Sequence, residues 1–61
     1  MATKLSKIIN HWVPENSKVI DFGCGDGSLL KELIETKNIL GYGVEINNLK
    51  IEKCIEKGVP V

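Results

Sequence analysis

Lys18-Val19-Ile20-Asp21-Phe22-Gly23-Cys24-Gly25-Asp26-Gly27 decides how the rest of the 61-residue chain is read. Its first half is β-rich, with Val19, Ile20 and Phe22 interrupted only by Asp21. Three glycines follow at alternate positions, and then Ser28-Leu29-Leu30-Lys31-Glu32-Leu33-Ile34 sets its apolar residues at helical spacing. Strand, glycine loop and helix in that order let a backbone approach a nucleotide-like ligand closely. Glycine has no Cβ and accepts positive φ, so such a loop turns tightly and leaves room for the ligand.

Outward from this stretch, the flanks read as its scaffold. On the N-terminal side Leu5, Ile8, Ile9 and Trp12 fall on one stripe of a short helix that Pro14 stops. Trp12 is expected to anchor the core against the sheet, and His11 to be solvated or capping. Lys18 to Phe22 is nearly continuous in apolar residues, as expected of a parallel strand covered on both faces. The helix after the loop runs from Ser28 to Lys37 with Leu29, Leu30, Leu33 and Ile34 inward.

Ile39 to Ile46 is the second strand, in which Gly41 and Gly43 mark close backbone approach and Tyr42 packs on the sheet. Asn47 or Asn48 caps a third helix with Leu49, Ile51, Cys54 and Ile55 inward, and Gly58 ends it. Val59-Pro60-Val61 reads as the lead-in to a third strand. Helix, β, α, β, α is the order of the first half of a doubly wound α/β sheet. Residues 1–61 are therefore expected to be the N-terminal part of one longer domain.

Composition narrows the class. Eight lysines, no arginine and eight carboxylates give zero formal net charge without a basic block, which argues against a nucleic-acid footprint. No apolar run approaches the roughly 20 residues that span a bilayer, and Met1-Ala2-Thr3-Lys4 leads straight into the first helix. The chain is expected to be cytoplasmic. Cys24 and Cys54 form no C-x-x-C pair and the chain has one histidine, so two reduced thiols and no metal site are expected.

The loop also selects its ligand. A dinucleotide fingerprint needs G-x-G-x-x-G/A, but Ser28 stands at the third position and Gly27 is extra. A Walker loop needs Gly-Lys-Ser/Thr, which is missing. Asp21 and Asp26, beside and inside the loop, repel phosphates and favour a cation. S-adenosylmethionine meets that demand, with a sulfonium, an ammonium and no phosphate. Glu45, 22 positions after Gly23, is placed to accept both ribose hydroxyls. Asp26 reads equally as a helix N-cap, and Cys24 as a small, backbone-defined filler of the loop.

On these residues the chain resembles the class I S-adenosylmethionine-dependent methyltransferases, and more closely the MetW family of methionine biosynthesis. Besides the glycine motif, the resemblance is carried by Trp12-Val13-Pro14, Glu35-Thr36-Lys37, Gly41-Tyr42-Gly43-Val44-Glu45-Ile46 and Cys54 through Val61. Asn47 departs from the family's usual Asp after Glu-Ile, which removes one charge near the ribose. The resemblance implies a Rossmann-like class I methyltransferase fold, present as an N-terminal βαβα half with a preceding helix. It places Asp21, Gly23, Cys24, Gly25, Glu45 and Ile46 in an S-adenosylmethionine site. It also implies action together with a homoserine O-acyltransferase.

Two functions follow from this reading. One is methyl transfer by displacement at the sulfonium carbon, which relies on proximity and orientation. No residue stands out as a catalytic base, and the acceptor side is expected beyond residue 61. The other is a non-catalytic partner that activates the acyltransferase. A dinucleotide-binding fragment is a third, weaker reading, for which Glu45 is suited but Asp21 and Ser28 are not.

Overall fold

The computed structural model describes residues 3–61; Met1 and Ala2, read above as the lead-in to the first helix, lie outside the described residues. The elements are α1 (Lys4–Trp12), β1 (Lys18–Phe22), α2 (Ser28–Lys37), β2 (Leu40–Val44) and α3 (Asn48–Glu56). β1 and β2 pair in parallel, with Ile20 opposite Tyr42 and Phe22 opposite Val44. The mixed α/β class and the element order match the expectation from sequence, and β2 is shorter than the stretch Ile39 to Ile46.

Two of the helices begin on a side-chain cap. The Thr3 hydroxyl accepts the Ser6 N–H at 3.0 Å and starts α1, while the Asn47 side chain accepts the Lys50 N–H at 3.1 Å and starts α3. Such a cap satisfies a donor that the helix itself leaves unpaired, and is worth about 1 kcal/mol. At the end of α3 the N–H of Gly58 reaches the Ile55 carbonyl and that of Val59 reaches the Cys54 carbonyl. Gly58 has φ +75°, so this is the double-bonded helix terminus that favours glycine.

The core lies on one side of the sheet. Leu30 and Leu33 of α2, Ile39, Cys24, Cys54 and Val59 are buried there, with Val19, Leu29 and Ile34 packed against them. Burying a leucine fully is worth about 1.5–3 kcal/mol, so Leu30 and Leu33 anchor α2 to the strands. Glycine makes the approach close: a Cβ on Gly41 would stand 3.2 Å from Leu30 Cδ2. The close approach expected at Gly41 and Gly43 is present.

Several expectations about burial are corrected. β1 is covered on one face only; Ile20 and Phe22, with Leu40, Tyr42 and Val44 beside them, are exposed on the other. Trp12 is 73% exposed and does not anchor the core. α1 packs against α2, as in the bond from Asn10 Nδ2 to Thr36 Oγ1 at 2.7 Å, and its apolar stripe leaves Leu5 and Ile8 exposed. On α3, Cys54 is buried but Leu49 and Ile55 face outward. Periodicity identifies an apolar stripe; it does not say that a neighbour covers it.

Val59-Pro60-Val61 is not a strand, but the Pro60 carbonyl accepts the Gly43 N–H at 2.8 Å. In a parallel ladder alternate N–H groups point to opposite sides. Since Leu40 donates toward the β1 side, to the Ser17 carbonyl, this segment lies along the other edge of β2.

Candidate functional site

The glycine loop leaves β1 still tied to the ladder. The N–H groups of Gly23 and Cys24 both reach the Val44 carbonyl, at 2.7 and 3.2 Å. Gly23 and Gly25 then take φ of +72° and +61°. A Cβ at either would meet nothing within 4 Å, so glycine is needed there for its backbone conformation and not for space. At Gly43 the reason is space: a Cβ would stand 2.5 Å from Cys24 Sγ. The loop is thus seated in a notch that β2 leaves by lacking a side chain.

Glu45, one residue beyond β2, closes the arrangement. Its Oε1 accepts the Gly25 N–H at 2.9 Å, and its Oε2 accepts the N–H groups of Ile46 at 3.1 Å and Asn47 at 3.0 Å. The backbone donors of Asn47 and then Gly25 hold its carboxyl below the usual range, so it is ionised at neutral pH. Three of the roughly four acceptor positions of a carboxylate are in use within the chain. Glu45 therefore holds the loop to the strand end and keeps acceptor capacity facing outward.

The other acidic residues divide by environment. Asp26 Oδ1 accepts both the N–H and the hydroxyl of Ser28, at 3.0 and 2.7 Å, but Gly27 occupies the N-cap position of α2, so Asp26 stands one residue ahead of the cap and is not the N-cap read from sequence. Those bonds, with Lys57 as a smaller cause, lower its carboxyl to about 2. Lys57 Nζ donates to the Asp26 carbonyl at 2.9 Å and lies 3.4 Å from Oδ2. Asp21 is half-buried at the end of β1, opposite Gly43, and burial raises its carboxyl. Cys24 is pushed up to about 11, by burial first, then by Cys54, and also by the charges of Asp21 and Glu45. Asp21 and Glu45 bring negative charge to the Cys24 side of the loop, while Lys57 offsets that of Asp26.

Of the six residues read as the site from sequence, Gly23, Cys24 and Gly25 are consecutive in the loop, and Asp21 lies just before them in β1. Glu45, one residue beyond β2, joins the loop through the Gly25 N–H, whereas Ile46 beside it is exposed and touches the group only through its own N–H on Glu45. Sequence reasoning missed two neighbours, Lys57 on Asp26 and Cys54, whose Sγ is 3.2 Å from the Gly25 carbonyl. Cys54 carried the signal of an inward helix position, but spacing alone did not say that it faced the loop. A cleft of about 460 Å³ runs from the Asp26 partners Ser28 and Lys57 along α2 to α1, where Thr3, Ser6, Glu32 and Thr36 also line it.

The match with known families extends over almost the whole chain. The family model described as "Methionine biosynthesis protein MetW" matches residues 4–61. The chain belongs to the MetW family. Membership implies a role in methionine biosynthesis for this MetW-family chain. No curated protein and no solved structure matches it. Among the described residues of the MetW-family chain, no helix is long and apolar enough to cross a membrane, and no group of three or more potential ligands is placed to hold a metal.

Proposed function

We propose that the glycine loop and Glu45 form an S-adenosylmethionine site, and that the chain is a methyltransferase-like protein of cytoplasmic methionine biosynthesis. The observation that carries this reading is the 2.9 Å bond from the Gly25 N–H to Glu45 Oε1, which makes loop and strand-end carboxylate one unit. The element order fits the first half of a Rossmann-like methyltransferase domain.

The residues suit the cofactor. Gly23 and Gly25 leave open space on the loop, where a Cβ would meet nothing. Glu45 has acceptor capacity left for a ribose hydroxyl while it holds the Gly25 amide. The carboxylates of Asp26 and Glu45 favour a sulfonium and an ammonium and disfavour a pyrophosphate. The bound cofactor supplies an activated methyl group; the chain's part is to bind and orient it.

Calorimetric titration with S-adenosylmethionine, and separately with NAD, tests the reading. Saturable binding of the first and none of the second is expected; the reverse pattern would assign the loop to a dinucleotide. The alternative role is activation of a homoserine O-acyltransferase without methyl transfer. Acyltransferase activity measured with and without this protein separates the two roles.

A further inference from the structure

Cys24 and Cys54 come from the glycine loop and α3, thirty positions apart, and their sulfurs lie 3.8 Å from each other in the core. Two glycines make room for them. A Cβ on Gly43 would stand 2.5 Å from Cys24 Sγ, and one on Gly27 would stand 3.0 Å from Cys54 Sγ. Both thiols are free, and Cys54 Sγ lies 3.2 Å from the Gly25 carbonyl as its hydrogen-bond donor. The packing thus holds two sulfurs in contact beside the loop, where no metal cluster is formed among the described residues.

We propose that Cys24 and Cys54 are a modification site, at which a low-molecular-weight disulfide such as oxidised glutathione forms an internal disulfide that fastens the loop to α3. A disulfide needs its sulfurs about 2.05 Å apart, so they must close by about 1.8 Å. The Cys24 thiolate attacks one sulfur of the oxidant, breaking its S–S bond; one glutathione leaves as thiolate and takes up the proton Cys24 lost. The Cys54 thiolate then attacks Cys24 Sγ, and the second glutathione leaves as thiol with the proton from Cys54. The two protein thiols are oxidised and one glutathione disulfide is reduced to two glutathiones.

Cys24 reacts first because the exposed loop residues Gly23 and Asp26 flank its segment, whereas Cys54 has no exposed surface. Burial that raises the Cys24 thiol makes thiolate scarce at neutral pH, so the reaction is slow until the loop opens. Once the bond forms, Cys54 no longer donates to the Gly25 carbonyl, and Gly25, whose N–H bonds Glu45, loses that restraint. The effect on ligand affinity rests on the S-adenosylmethionine reading; the crosslink itself does not.

The test is to incubate the reduced chain with glutathione disulfide near the ordinary thiol pKa of about 8.5, where Cys24 forms thiolate whenever the loop opens and its burial is relieved. Trypsin under non-reducing conditions then separates the segments 19–31 and 54–57, which carry the two cysteines. The expected product is these two segments joined within one chain and released by dithiothreitol. It should exceed glutathione adducts on the order of tenfold, as pre-positioned groups react with a high effective concentration. In urea that excess should disappear. Glutathione adducts dominating in the folded chain, crosslinks only between chains, or thiols left unmodified would each overturn the proposal.

Discussion

On one face of the sheet, β1 and β2 present Val19, Asp21, Gly41 and Gly43; on the other they present Ile20, Phe22, Leu40, Tyr42 and Val44. The first face is covered and carries the smaller residues. The second is open and carries the larger ones. The difference shows what glycine does here: where α2 and the loop come close, β2 gives up its side chains so that Leu30 and Cys24 can occupy that space. The glycine loop leaves the end of β1, and its placement depends on that packing.

The largest expected contrast sets a covered-face contact against an open-face residue. Leu30→Ala should cost about 2–5 kcal/mol in urea unfolding, because Leu30 is fully buried and the site can only partly collapse. Phe22→Ser, at a side chain 78% exposed, should stay within about 0.5 kcal/mol. Equal losses at the two positions would erase the distinction between the faces.

Gly43→Ala comes next, at about 1–3 kcal/mol, since its Cβ would collide with Cys24 at both Sγ and Cβ. The gain from a stiffer unfolded chain, about 0.4–1 kcal/mol, is too small to offset this. At Gly41 the nearest atom is the far end of Leu30, 3.2 Å away, so Gly41→Ala should lose less. Thermal unfolding of the pair gives the order; a reversed order would mean that Cys24 is not seated as described.

Glu45→Ala should weaken S-adenosylmethionine binding by about tenfold or more, the range for hydrogen bonds to a charged group, with β1 and β2 intact by circular dichroism. Unchanged affinity on calorimetry would remove Glu45 from the ligand.

The smallest effect is in acid. Glu45 and Asp26 both have lowered folded-state carboxyl pKa values, so each adds stability above the unfolded value of about 4 that is lost as pH falls, for Asp26 down to about 2. Asp21, raised by burial, acts in the opposite sense, favouring the folded state as it takes up its proton. Asp26→Asn should therefore flatten the acid limb of stability against pH. An unchanged limb would show that Ser28 and Lys57 do not hold the carboxylate.

The strand, loop and helix from Lys18 to Lys37 were legible because positive-φ glycines, β-branched residues and a leucine stripe each act locally. So was the meeting of Glu45 with the loop, since a parallel β-α-β unit brings the ends of both strands to one edge. Trp12, Leu49 and Ile55 misled because an apolar side chain records what a position tolerates, whereas burial requires a neighbour. The Cys24 to Cys54 contact was not legible either. It depends on the angle at which α3 returns across the loop, and no short-range pattern encodes that angle.

The most direct test of the central claim is the amide NMR spectrum during titration with S-adenosylmethionine. The signals of Gly23, Gly25, Glu45, Ile46 and Asn47 should move together, because these N–H groups belong to the loop and its carboxylate clasp. Amides of the exposed end of α1 at His11 and Trp12 should stay in place. Shifts centred on α1, or no shift at Gly25 and Glu45 with saturating ligand, would contradict the account.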